Sequence, residues 1–410
     1  PMRSLQGALI AMPEMTDVAA PLRRLTPAGE HFFFGYYDIP AADSQGRHLA
    51  LKVPFRDRFP DPTDEAELGW VPLPSMQKTT TESFHPFAST VAWNFQQACM
   101  LQWLPRPDTC LYNTFGDSHF GCAIRNISSG AVCNLPLAVA NVSQDGTKAL
   151  CVNMPRIYDF RAGYGYEEIP DPYATVPAPS DDGVFLMDLA TGESRMILSL
   201  AEAVNFLARE GEDIAGQKVV INHITFNPSG DRYLFLLRSF PEPGHPWSTW
   251  LVTADSNGGG LRHRQAFGVA SHYHWKDDRG MLFYMRVDPK KLELVLVDDE
   301  TDERTLIDTS YFLSDGHCSY SPDGRWLLYD SYPDGSTPDY MRSLFVYDLE
   351  KKQGHTLGKF RSESYKPDTV DLRCDLHPRW MPDGKSVSFD SIHEGYRGIY
   401  WMDLSEIMGH

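Results

Sequence analysis

The sequence predicts an all-β protein, a seven-bladed β-propeller whose ring is closed by its own N-terminal strand. Three observations predict it. Short apolar strands recur every 40 to 60 residues and end in one turn signal, HITFNPSG at 223–230, HCSYSPDG at 317–324 and HPRWMPDG at 377–384, with HYHWKDDRG at 272–280 as a copy lacking the proline. Each of these repeats continues into a second strand and a third that ends in Asp, the order expected of a propeller blade. The last repeat stops after its third strand at RGIYWMDL (397–404), and the segment LRRLTP (22–27) resembles the outer strand it lacks.

In chain order, the strand at about 22–27 is expected to pair with the final blade, which removes two exposed sheet edges. Three blades follow: GYYDIPAADSQGRHLALKV (35–53), WNFQQACMLQWLP (93–105) through CAIRNISSG (122–130), and LAVANVSQDGTKALCVN (137–153) through GVFLMDLATGESRMIL (183–198). The four histidine-led repeats complete the seven, with second strands such as DRYLFLLRS (231–239) and third strands such as SLFVYDLE (343–350). The whole of 1–410 reads as a single domain, because one closed ring absorbs that length without separate cores. Two segments break the rhythm and read as insertions, 54–90 and 154–181, and insertions on a rigid ring are where ligands are usually gripped.

Composition narrows the partners. A hydrophobic content of 42% supports a packed core, and a formal charge of −18 with no compensating basic run argues against nucleic acid and anionic membrane. A small acidic oligosaccharide remains compatible, because it responds to the charges of its cleft rather than to the distant surface. Seven cysteines without paired short spacings are not a disulfide framework, and no stretch reaches the roughly 18 apolar residues a membrane span needs. The expected location is cytoplasmic, or periplasmic if a signal peptide has been removed. The sequence carries no signal of oligomeric state, and it contains no G-x-S-x-G, phosphate-binding loop, dinucleotide fingerprint or CxxC pair.

The chemistry rests on equivalent positions. His223, His272, His317 and His377 stand at one place in four successive repeats, and ring closure would bring them to one central funnel. A lone histidine there is more often a hydrogen-bonded structural residue, but four in register point to a divalent metal or acid–base site. Asp375 is the preferred additional ligand, since strand alternation would place it on the side of His377 and turn Cys374 away. His272 and His274 would share one strand face, one serving as base beside a structural neighbour. Tyr36, Tyr37, Asn94, Gln96 and Gln97 offer the stacking faces and amides that sugars need, or else inter-blade core. Arg156 and Arg161, near Tyr158, Tyr164 and Tyr166, can hold a carboxylate by paired hydrogen bonds, or be solvated loop residues.

Read together, HYHW, HCSYSPDG and HPRWMPDG resemble the oligogalacturonate lyase family over residues 215–405. The resemblance implies an intracellular seven-bladed propeller that cleaves short uronate oligosaccharides, with His272 as catalytic base and His317 and His377 as ligands of a manganese ion. Zinc or calcium remain alternatives for the ion. This chain departs from the family pattern before its last turn, where Leu372, Cys374 and Asp375 replace a Gln and a second His. The implied β-elimination needs a cation beside the sugar carboxylate, a base at C5 and a proton for the leaving O4. Metal and arginine would supply the first, His272 the second, and His223 or Tyr37 the third. Alternatives on the same scaffold are a metal-dependent glycoside hydrolase and a non-catalytic binding propeller of the TolB kind.

Overall fold

The computed structural model describes residues 15–74, 83–242, 245–333 and 340–409, so the apolar stretch at the extreme N-terminus and residues 75–82 lie outside it. Seven antiparallel sheets follow one another along the chain. They form blades 1 to 7 at 31–90, 102–135, 141–199, 219–264, 270–306, 318–361 and 379–403.

The turn signal acts locally as its chemistry requires. In blades 4, 6 and 7 a glycine at φ near +70° (Gly230, Gly324, Gly384) closes the hairpin, donating its N–H to the carbonyls of Asn227, Ser321 and Met381. The inner strand Val219–Phe226 is buried at every residue, as expected of a strand with sheet neighbours and packed faces on all sides. Adjacent blades share apolar layers. Trp326, Leu328 and Val346 of blade 6, for example, pack with Val387, Phe389 and Tyr400 of blade 7.

Ring closure is achieved by Leu22–Arg24, which pairs antiparallel with Gly398–Asp403 and supplies the outer strand of blade 7. Met15–Thr16 adds a fifth strand to blade 6, which the sequence did not announce because it is only two residues long.

One expected insertion is corrected. Residues 54–90 contain Ala66–Pro72 and His85–Thr90, the third and fourth strands of blade 1. Their prolines concealed them. Pro72 ends its strand and Pro86 lies in the outer edge strand, where a missing N–H is tolerated. The segment 154–181 lies between the second and third strands of blade 3, Lys148–Cys151 and Gly183–Asp188. It opens with a helix, Met154–Phe160, capped by the Asn153 side chain. A second helix, Leu200–Arg209, starts from a Ser199–Glu202 capping box, an S-x-x-E signal overshadowed in the sequence by the flanking strand pattern.

Two inner strands are irregular where they matter. The pairing register slips between Ile221 and His223 in blade 4, and between Ala270 and Tyr273 in blade 5. Such bulges re-aim side chains next to a cavity.

Candidate functional site

The inner-strand starts of blades 4 to 7 surround one cavity of about 650 Å³. Among the residues lining it are Tyr36, Arg161, Tyr164, His223, Arg238, Trp247, His272, Asp315, Tyr332, Arg342 and Arg373. The four histidines of the repeat frame do gather, His223 and His272 in the cavity lining and His317 and His377 packed beside them. The His272 and His317 rings are 4.0 Å apart, His317 and His377 4.3 Å, and Tyr36 stands among them, stacked on His223 at 5.4 Å and edge-on to His377 at 4.9 Å.

Each imidazole is held differently. His317 turns Nδ1 to both oxygens of Asp330 at 3.0 Å, and the same carboxylate accepts its backbone N–H at 2.7 Å. His377 turns Nδ1 to the Gly35 carbonyl at 2.8 Å. That carbonyl comes close because Gly35, at φ +136°, lies against Ala98 and the Gln97 backbone where a Cβ would be crowded. In both histidines Nε2 is buried without a hydrogen-bond partner. With Nδ1 protonated toward an acceptor, each Nε2 presents a lone pair, the arrangement of metal-ligating histidines with an orienting partner.

Asp375 completes a triad with them: donor atoms of His317, Asp375 and His377 lie within 4.8 Å of one another. Strand alternation is not what brings Asp375 there. Residues 374–378 are irregular, and His377 itself has φ +42°, an uncommon conformation for a non-glycine residue that surrounding contacts must enforce. Cys374 stays out of the triad, and burial pushes its thiol up to about 11. Two neutral imidazoles and a carboxylate, preoriented and buried, suit a divalent cation.

Electrostatics sharpen these roles. Burial holds His223, His317 and His377 well below the usual imidazole range, so all three are neutral at physiological pH. Burial raises Asp375, but Arg373 and Arg342 outweigh it and hold the carboxyl far below its usual range. Burial pushes Asp330 up to about 7.

His272 is set as a base rather than a ligand. Its Nδ1 contacts Asp315 Oδ1 at 2.9 Å, Ser271 donates to the other oxygen at 2.6 Å, and Nε2 lies 3.2 Å from the Tyr332 hydroxyl. Burial opposes the Asp315 charge, yet His272 and Ser271 together bring the carboxyl below its normal value. A carboxylate on Nδ1 and an Nε2 turned toward the Tyr332 hydroxyl are the parts of an oriented general base.

Several expected site residues are placed elsewhere. Tyr37 is not free to move a proton: its hydroxyl donates to the Tyr273 carbonyl at 2.5 Å and accepts the Tyr273 N–H at 2.9 Å. Arg156 does not line the cavity, and its N–H donors go to Asp171 and to the carbonyls of Val219, Tyr173, Val176 and Pro177. Asn94 is buried, its Oδ1 accepting the N–H groups of Gln96 and Gln97, and neither it nor Gln97 lines the cavity. His274 does not share the face of His272. It lines a second cavity at the turn ends of the same inner strands and accepts from the Tyr320 N–H at 3.4 Å, the bulge at Ser271–His272 having broken the alternation. Arg161, by contrast, reaches the cavity from the insertion and pairs with Asp371.

The structure adds residues that pattern reading missed. Asp315 stands two positions before His317, a visible signal. Tyr332 follows the second strand of blade 6, and nothing in its context marked it. Arg238 lies near the end of the second strand of blade 4, and among the described residues it has no ion-pair partner; burial, then the nearby Arg161 charge, pulls it down to about 10. Arg342 and Arg373 flank Tyr332, their guanidinium carbons 5.4 and 5.6 Å from its ring centre.

No protein-family profile and no curated protein sequence matches this chain. Solved structures do. An oligogalacturonate lyase in complex with manganese is 16% identical, with a TM-score of 0.64, covering 97% of this chain and 98% of that one. An oligogalacturonate lyase from Vibrio parahaemolyticus is 15% identical, with a TM-score of 0.63 and 95% coverage of each chain. What this likeness carries is the seven-bladed ring. No helix among the described residues is long and apolar enough to cross a membrane.

Proposed function

We propose that this protein is a divalent-metal-dependent lyase that cleaves a uronic-acid-containing oligosaccharide by β-elimination. One observation carries the proposal: an oriented base, His272 with Asp315, lines an arginine-rich cavity and has its ring 4.0 Å from that of His317, which belongs to a metal-competent triad. The similarity to a manganese complex of an oligogalacturonate lyase supports it and makes manganese the first ion to test.

His317, His377 and Asp375 would hold the ion, which when bound supplies positive charge beside the sugar carboxylate and so acidifies the neighbouring C5–H. Arg238 and Arg161, which line the cavity, bind the same anionic group. His272 Nε2 takes the C5 proton, and Asp315 stabilises the imidazolium that results. As the C4=C5 double bond forms, the bond from C4 to the leaving oxygen breaks and that oxygen needs a proton. Tyr332 supplies it, the Tyr37 hydroxyl being bonded to the Tyr273 backbone. Burial pushes the Tyr332 hydroxyl well above the usual tyrosine range, so it remains a donor at neutral pH, and it lies 3.2 Å from His272 Nε2.

The test is product chemistry. Incubation with a panel of short uronate oligosaccharides and Mn²⁺ should give a conjugated, ultraviolet-absorbing unsaturated uronate. New reducing ends without that absorbance would identify a hydrolase, and no turnover on any member would favour a binding propeller.

A further inference from the structure

We propose that Arg342 and Arg373 compete with the metal for Asp375, so that a divalent cation is held weakly in the free protein and tightly once an anionic ligand draws the two guanidinium groups away. The inference rests on the metal-centre reading above, and it concerns how that centre is regulated.

The three ligands are not equally available. His317 and His377 have their Nδ1 atoms engaged and their Nε2 atoms without partners. Asp375 is already neutralised: Arg342 Nη1 lies 2.7 Å from Oδ1, and Arg373 Nε lies 2.8 Å from Oδ2 and 3.1 Å from Oδ1. A cation entering beside this carboxylate meets two fixed positive charges, and like charges a few ångströms apart in a buried site oppose each other strongly.

Both arginines also face the cavity, where a ligand can reach them. Arg342 is only 2% exposed, and its Nη1, though close to Asp375, makes no aligned hydrogen bond. It is therefore a buried donor still lacking a proper acceptor, and buried donors of this kind usually have one. A sugar carboxylate in the cavity supplies that acceptor. Asp375 Oδ2 already lacks an aligned hydrogen bond, so each guanidinium that turns to the ligand lowers the positive charge facing an ion at that oxygen. Metal and anionic ligand then bind with positive, reciprocal coupling.

The experiment uses the full chain and calorimetric titration with MnCl₂, with and without saturating galacturonate. This monomer has the carboxylate but no glycosidic leaving group, so nothing turns over. The Mn²⁺ Kd should fall on the order of tenfold with galacturonate present, and the galacturonate Kd should fall by the same factor with Mn²⁺ present. Arg342→Gln should bind Mn²⁺ on the order of tenfold more tightly without galacturonate and lose most of the enhancement, while Arg342→Lys should keep it. Should Arg342→Gln fail to fold, the wild-type linkage and Arg373→Gln decide the matter. A wild-type Mn²⁺ affinity indifferent to galacturonate, or no Mn²⁺ binding in either condition, overturns the proposal. Linkage without any unsaturated product from oligosaccharides would defeat the lyase reading and leave this one intact, and the converse result would do the reverse.

Discussion

At the scale of single residues, the site separates holding from reacting. His317 and His377 present lone pairs because other groups hold their Nδ1 atoms, whereas His272 is oriented by the Asp315 carboxylate. His272→Ala should lower kcat by about 10²- to 10⁴-fold while leaving Mn²⁺ affinity unchanged. His317→Ala should abolish stoichiometric Mn²⁺ binding, read by elemental analysis of the dialysed protein. Away from the site, His48 is fully buried between Leu49 and Ser388, and burial, with Arg379 adding to it, lowers its pKa to about 3. The unfolded chain takes up a proton on this residue as pH falls through about 6.5, and the folded chain does not until about 3. Stability attributable to His48 is thus present above pH 6.5 and is lost as pH falls toward 3, at up to about 1.4 kcal/mol per unit. His48→Gln should flatten that part of the stability profile in denaturant titrations at stepped pH.

At the scale of elements, the insertion 154–181 acts as an arm whose inner end is fixed and whose outer residues reach the cavity. Arg156 is the fixing point, 1% exposed and paired at 2.9 Å with an equally buried Asp171, and Arg161 and Tyr164 are what it delivers. Arg156→Met should cost about 3–5 kcal/mol, because it strands a buried carboxylate, and should raise KM by displacing Arg161. Thermal melts and steady-state kinetics would check both. The N-terminal strand Leu22–Arg24 closes the ring through a short ladder with blade 7. A chain beginning after Arg24 should lose on the order of a few kcal/mol, from lost ladder hydrogen bonds and a newly exposed edge, seen as a lower denaturation midpoint.

At the scale of the whole molecule, an acidic protein of net charge −18 builds a cavity edged by Arg161, Arg238, Arg342 and Arg373. Local charge in a partly enclosed site dominates over the distant surface, so the global field does not prevent an anionic ligand from binding. The ring itself was legible because the proline–glycine turns repeat and because the last blade visibly lacked a strand that 22–27 could supply. The gathering of His223, His272, His317 and His377 followed from the same periodicity. What stayed hidden had local physical causes. Period-two reasoning failed at His274, where a bulge intervenes, and it gave no account of Asp375, which reaches the triad on irregular backbone. Tyr37, Asn94 and Arg156 have the right functional groups but spend their hydrogen bonds inside the protein, and residue type alone does not reveal that. Tyr332 and Arg238 lie just after and near the end of second strands, positions whose depth in the funnel depends on how the blades tilt rather than on any motif.

The central claim is that ring closure assembles a metal centre from two blades, with a base from a third beside it. An anomalous difference map from crystals soaked in Mn²⁺ tests it most directly. The account predicts one strong peak at bonding distance from Nε2 of both His317 and His377, with His272 beside it but not bound. A map with no peak there, or with the ion seated on other residues, would contradict it.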